Sequence, residues 1–104
     1  MYTRNKNTNQ KKLTSKGWSK KAPRNKHERI TMKNKCGNKC FLGSRKTSLS
    51  FPICAKGTCK RDTKGMYAAY IRARQHSKKH KKYRSIASRA KKMLKKRGFS
   101  KNLK

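Results

Sequence analysis

The chain has 104 residues, of which 34 are Lys or Arg and two, Glu28 and Asp62, are acidic, for a formal net charge of +32. So little internal counter-charge leaves the molecule self-repelling without an external polyanion, and its charge would match the phosphate of about 16 base pairs of duplex. With 31% hydrophobic residues the ceiling is one small domain, and no apolar run approaches the roughly 20 residues that span a bilayer.

Residues 1–30 are polar throughout, so no secretory signal is expected; they are acid-poor, as transit peptides are, but their amphipathic patterning is weak. Residues 1–35 hold few apolar side chains, too few to offset the entropy of ordering the backbone, and read as a flexible basic arm interrupted by Gly17 and Pro23. Lys11, Lys12, Lys20, Lys21 and Arg24 are its candidate phosphate ligands. Trp18 stands alone there, as an anchor for a partner's pocket or as an exposed ring.

A small domain is expected over 36–98. Cys40-Phe41-Leu42 and Leu49-Ser50-Phe51, separated by the turn-like stretch 43–48, predict a short β-hairpin that Pro52 ends or holds at an edge. Cys36, Cys40, Cys54 and Cys59 follow the pattern C-x3-C-x13-C-x4-C. Three states fit it: four thiolates around one structural Zn²⁺, disulfides (with Cys40 to Cys54 across the hairpin as one geometry), or reduced cysteines packed as small hydrophobes.

Two helices are predicted beyond, near 64–77 and 82–97, with Asp62 or Thr63 as the first cap. Met66, Ala69, Tyr70 and Ala73 make one apolar stripe, and Tyr83, Ile86, Ala87, Ala90 and Leu94 make the second. Gly98 suits a left-handed position after the last turn, with Phe99 folding back on Leu94. The basic C-terminal tail is 99–104. Arg72, Arg74, Lys78, Lys79, Lys81, Lys82, Arg84, Arg89, Lys91, Lys92, Lys95, Lys96 and Arg97 supply the polyanion-binding display, arginines as forks and lysines as point charges. No acidic residue follows Asp62 to neutralise them. His76 and His80, at i and i+4, read as solvated and polyanion-facing, since no HExxH glutamate accompanies them. Tyr67, Tyr70, Tyr83 and Phe99 are candidates for base stacking, though helical spacing assigns Tyr70 and Tyr83 to the core. Two isolated carboxylates and no Gly-rich phosphate loop point to a non-enzymatic protein. The fold class expected is small α+β: basic arm, cysteine-stapled hairpin, then two basic amphipathic helices.

The run Lys39-Cys40-Phe41-Leu42, Phe51-Pro52-Ile53-Cys54, Cys59, then Gly65-Met66-Tyr67-Ala68-Ala69-Tyr70-Ile71-Arg72-Ala73-Arg74-Gln75 resembles a family of short basic proteins of nucleocytoplasmic large DNA viruses. The resemblance covers roughly 39–96 and includes Tyr83, Ile86, Ala87 and Ala90-Lys91-Lys92. It implies a viral, virion-packaged protein, present in the host cytoplasm or nucleus during infection, and supplies no catalytic residue. The leading expectation is a virion-associated nucleic-acid-binding protein, contacting phosphate without sequence preference, that helps condense or anchor the genome. Two alternatives fit the same charge: a minor capsid or cement protein whose arm threads between acidic virion subunits, and a ribosomal-type RNA-binding protein with a zinc core.

Overall fold

The two apolar stripes form the helices they predict. In the computed structural model, which describes residues 13–43, 49–99 and 103, α3 spans Thr63–His76 and α4 spans Lys81–Lys96. Two further helices precede them, α1 at Trp18–Lys21 and α2 at Lys26–Cys36, with a 3₁₀ turn at Asn38–Cys40. Asp62 caps α3, its carboxylate accepting from the Lys64 amide at 2.8 Å. At the far end Gly98 takes a φ of 93°. The Gly98 amide donates to the Lys95 carbonyl and the Phe99 amide to the Leu94 carbonyl, which closes the last turn in a Schellman motif. Phe99 is thereby buried, so the domain runs past the expected boundary at 98.

α3 and α4 form an antiparallel hairpin. Arg97, just past α4, donates to Thr63 Oγ1, at the start of α3, at 2.8 Å. Both predicted stripes face the interior: Met66, Ala69, Tyr70 and Ala73 pack against Ile86, Ala87, Ala90 and Leu94. Four of these are alanines, which lets the helix backbones come close. Tyr83 is only half-buried, at the edge of the stripe.

Residues 40–43 and 49–62 cover one side of this hairpin, with Leu42 and Ile53 in its core. The predicted strands pair only in outline. Leu42 donates to the Phe51 carbonyl at 3.0 Å and Gly43 to Ser50 at 3.2 Å, but the described residues hold only isolated bridges, Phe41 to Pro52 and Cys54 to Arg61. The reason lies in the second segment. Phe51 sits at φ 55°, outside extended backbone, and Pro52 has no amide to donate. The described residues are therefore helical with isolated bridges, and the expected α+β class is corrected to that extent. Of the predicted turn at 43–48, residues 44–48 lie outside the described residues.

The largest departure from expectation is at 13–36, read from sequence as part of a flexible arm. Gly17, at φ 86°, turns the chain into α1, and Trp18 enters the protein. The indole lies on Gly65 of α3; a Cβ there would sit 2.6 Å from Trp18 Cη2 and 3.1 Å from Ile53 Cα. The Lys56 amide donates to the Lys21 carbonyl at 2.7 Å. Arg29 of α2 reaches the Leu49 carbonyl at 3.2 Å, and Met32 packs into a second apolar cluster with Cys40, Phe41 and Cys54. Few apolar residues suffice because each finds a surface built by distant sequence.

Gly65→Ala sets two effects against each other. Alanine favours a helix by about 1 kcal/mol over glycine, whereas overpacking costs about 1–3 kcal/mol. With an indole and a backbone atom inside contact distance, overpacking is expected to win. Urea unfolding should show a lower midpoint, and native Trp18 emission should shift to the red. An unchanged or raised midpoint would mean that Trp18 does not rest on Gly65.

α2 begins in a capping box. The Glu28 amide donates to Asn25 Oδ1 at 2.8 Å, and Glu28 Oε1 accepts from the Arg24 and Asn25 amides. The Arg24 amide, foremost, holds the Glu28 carboxyl below its ordinary value of 4.5. A depressed carboxyl stabilises the fold above its unfolded value and loses that contribution as pH falls through its folded value. Urea midpoints measured at pH 6 and pH 3 should therefore fall less on acidification in Glu28→Gln than in the parent; equal falls would refute the coupling.

Candidate functional site

The carboxylates decide what the cations can do. Glu28 is engaged in the α2 capping box and Asp62 in the α3 cap. Each also meets a lysine, Lys56 at 3.7 Å from Glu28 and Lys21 at 3.8 Å from Asp62. These are the ion pairs among the described residues, and partly exposed pairs of this kind contribute at most about 1 kcal/mol. Among the described residues, the predicted cations on the helical hairpin form no ion pair with a carboxylate.

Their placement is uneven. Lys78 and Lys79 lie in the turn between α3 and α4, and Lys81, Lys82 and Arg84 follow on the first turn of α4, all exposed. Lys92, Lys95 and Lys96 continue along its outer face, with Lys91 half-buried beside them. This gives one cationic face along α4, opposite Ile86, Ala90 and Leu94. Arg72 and Arg74 are exposed on α3, and Arg74 lies over the Tyr70 ring at 5.5 Å. Lys20 and Arg24 are exposed on the α1–α2 side. Lys11 and Lys12 lie outside the described residues.

Several arginines also hold the fold. Arg89 donates to the Leu42 carbonyl at 3.1 Å, and Arg97 donates to the Arg61 carbonyl at 3.0 Å besides Thr63. Part of each donor fork is thus engaged internally. Arg29, which sequence reasoning did not single out, belongs to the same group: its Nε donates to the Pro23 carbonyl at 3.1 Å. The Asn25-x2-Glu28 spacing was the available signal that a helix, not an arm, carries it. Trp18 differs most from expectation. Its ring is buried against its own chain at 8% exposure, and so does not project toward a partner.

Among the aromatics proposed for stacking, Tyr70 and Phe99 are buried, while Tyr67 and Tyr83 are half-buried. His76 ends α3 and His80 precedes α4, so the pair does not share one helix. Both rings face Tyr83, at centroid separations of 5.5 and 5.8 Å.

The cysteines pair two by two at disulfide distance, Cys36 with Cys59 and Cys40 with Cys54, with Cα separations of 5.3 and 5.1 Å. These separations are those of ordinary disulfides. The zinc expectation is corrected accordingly: sulfurs joined in pairs offer no thiolates, and the described residues contain no cluster of three or more His, Cys, Asp or Glu that would hold a metal. Cys40 to Cys54 is fully buried, whereas Cys36 and Cys59 are half-exposed. No helix among the described residues is long and apolar enough to cross a membrane.

These features define a small helical protein, stapled by paired cysteines, that displays an unneutralised cationic helix. Compared with protein-family models, curated proteins and solved structures, the chain matches none of them.

Proposed function

We propose that this protein is a virion-associated, non-enzymatic polyanion binder that neutralises nucleic-acid phosphate and helps condense or anchor a viral genome. The observation that carries this reading is the cationic face of α4 and its preceding turn, where lysines and Arg84 stand without a carboxylate while both acids of the chain serve as helix caps. Like charges along one helix repel, and phosphate relieves that repulsion. The viral setting rests on the sequence resemblance; paired cysteines suit a mature particle outside the reducing cytosol.

The capsid-cement reading needs a free arm, and the packing of 13–36 on the core counts against that role for this segment. The ribosomal-type reading assumed a zinc core, which paired cysteines do not favour. The test is a binding titration with duplex and single-stranded DNA across a salt series. Affinity should fall steeply as salt rises; affinity that stays constant from low to high salt would overturn the proposal.

A further inference from the structure

A cleft of about 590 Å³ opens where α1, α3, α4 and the segment 50–52 meet. That volume lies in the roughly 300–1,000 Å³ range of small-molecule sites. Its floor is made of small residues, Ala69, which is buried, and Ala68 beside it. Half-buried Phe51 and Tyr83 form one wall, tilted 59° to each other with centroids 5.8 Å apart. Trp18 lines it from α1. The left-handed backbone of Phe51, at φ 55°, sets the aim of that ring, and such outliers cluster at ligand sites.

The rim is cationic. Arg24 and Arg72 are exposed on it, and neither guanidinium has a hydrogen-bond acceptor among the described residues. Among the described residues no carboxylate lines the cleft. Arginine forks suit phosphate oxygens, and the aromatic wall suits a flat ring. Along α4, by contrast, the exposed cations are mostly lysines.

We infer that this cleft takes one unpaired nucleotide of a single strand, its base against Tyr83 and Phe51 and its phosphate on Arg72 and Arg24. The inference rests on the phosphate-binding function proposed above and adds a base-contacting site to it. Duplex bases are stacked and paired, so only an unstacked nucleotide can enter. The path beyond the cleft favours a strand over a free nucleotide. His76 on the cleft adjoins the turn that carries Lys78 and Lys79, so the backbone leaving the cleft runs onto exposed cations.

The chain has one tryptophan, Trp18, and it lines the cleft, so its fluorescence reports occupancy. The oxidised full-length protein is titrated with oligothymidylate and with an abasic deoxyribose-phosphate oligomer of equal length and charge. Oligothymidylate should alter Trp18 emission saturably and bind about tenfold more tightly than the abasic oligomer, as base–aromatic stacking implies. Arg72→Ala should weaken oligothymidylate by about tenfold and the abasic oligomer by about twofold, whereas Arg84→Ala on α4 should weaken both by about twofold. Equal affinity for both oligomers with no change in Trp18 emission would overturn the cleft assignment and leave phosphate neutralisation standing. If neither oligomer binds at low salt, the functional proposal itself is overturned. Thymidine monophosphate binding as tightly as the oligomer would assign the cleft to a free nucleotide and overturn the strand.

Discussion

Removing the paired cysteines is expected to produce the largest loss of stability available in this protein. The pairs join residues 14 and 23 apart, and closing loops of this size stabilises a fold by about 3 kcal/mol each. Small domains rarely have more than about 3–5 kcal/mol in hand from a single core, and a net charge of +32 works against this one. The two pairs are expected to fail differently. Cys40 and Cys54 lie fully buried in the cluster with Met32 and Phe41, so Cys40→Ala/Cys54→Ala should lower the global melting temperature by more than about 10 °C. Cys36 to Cys59 ties the end of α2 to the segment that leads into α3. Cys36→Ala/Cys59→Ala should loosen α2 first, seen as faster amide exchange over 26–36 than over α3 and α4. Circular dichroism melts with and without reductant, joined to exchange measured by mass spectrometry, decide the matter. A melting temperature unmoved by reduction would show that neither pair holds the fold.

Binding to nucleic acid should lose about three to five orders of magnitude in affinity between 50 and 200 mM salt if about six to ten phosphates are met at once. The turn and outer face of α4 provide exposed cations for contacts of this kind. Charge removal there should change the slope as well as the affinity. Replacing Lys92, Lys95 and Lys96 together by Gln should reduce the salt slope by about three for duplex DNA. All three are exposed on α4, so helicity should be kept. Arg89 and Arg97 are poor choices for this test. Each donates to a backbone carbonyl, and its removal would perturb packing together with charge. A slope unaltered by the triple substitution would move the phosphate contacts off α4.

The helical half of the chain was legible because its signals are local. The apolar stripes of α3 and α4 follow the helical period, Asp62 precedes the first and Gly98-Phe99 closes the second, all within a few residues of the turns they control. The unneutralised charge was legible too, since the acids are two in number and lie at Glu28 and Asp62. Segment 13–36 was not. Its own composition cannot bury it, and what orders it comes from elsewhere: Gly65 and Ile53 under Trp18, the Lys56 amide on Lys21, and Cys59 joined to Cys36.

Sequence by itself therefore determined the two helices, the closing turn at Gly98-Phe99 and the excess of cations, because periodicity, capping and net charge are local or additive properties. Tertiary structure alone decided three other things. It selected disulfide pairing among the cysteine states, since that depends on which Cα atoms come within reach. It reduced the expected strands to isolated bridges through the φ of Phe51. It also gathered Trp18, Phe51, Arg72 and Tyr83 around one cleft, a juxtaposition that no spacing along the chain encodes because their elements meet only through long-range packing.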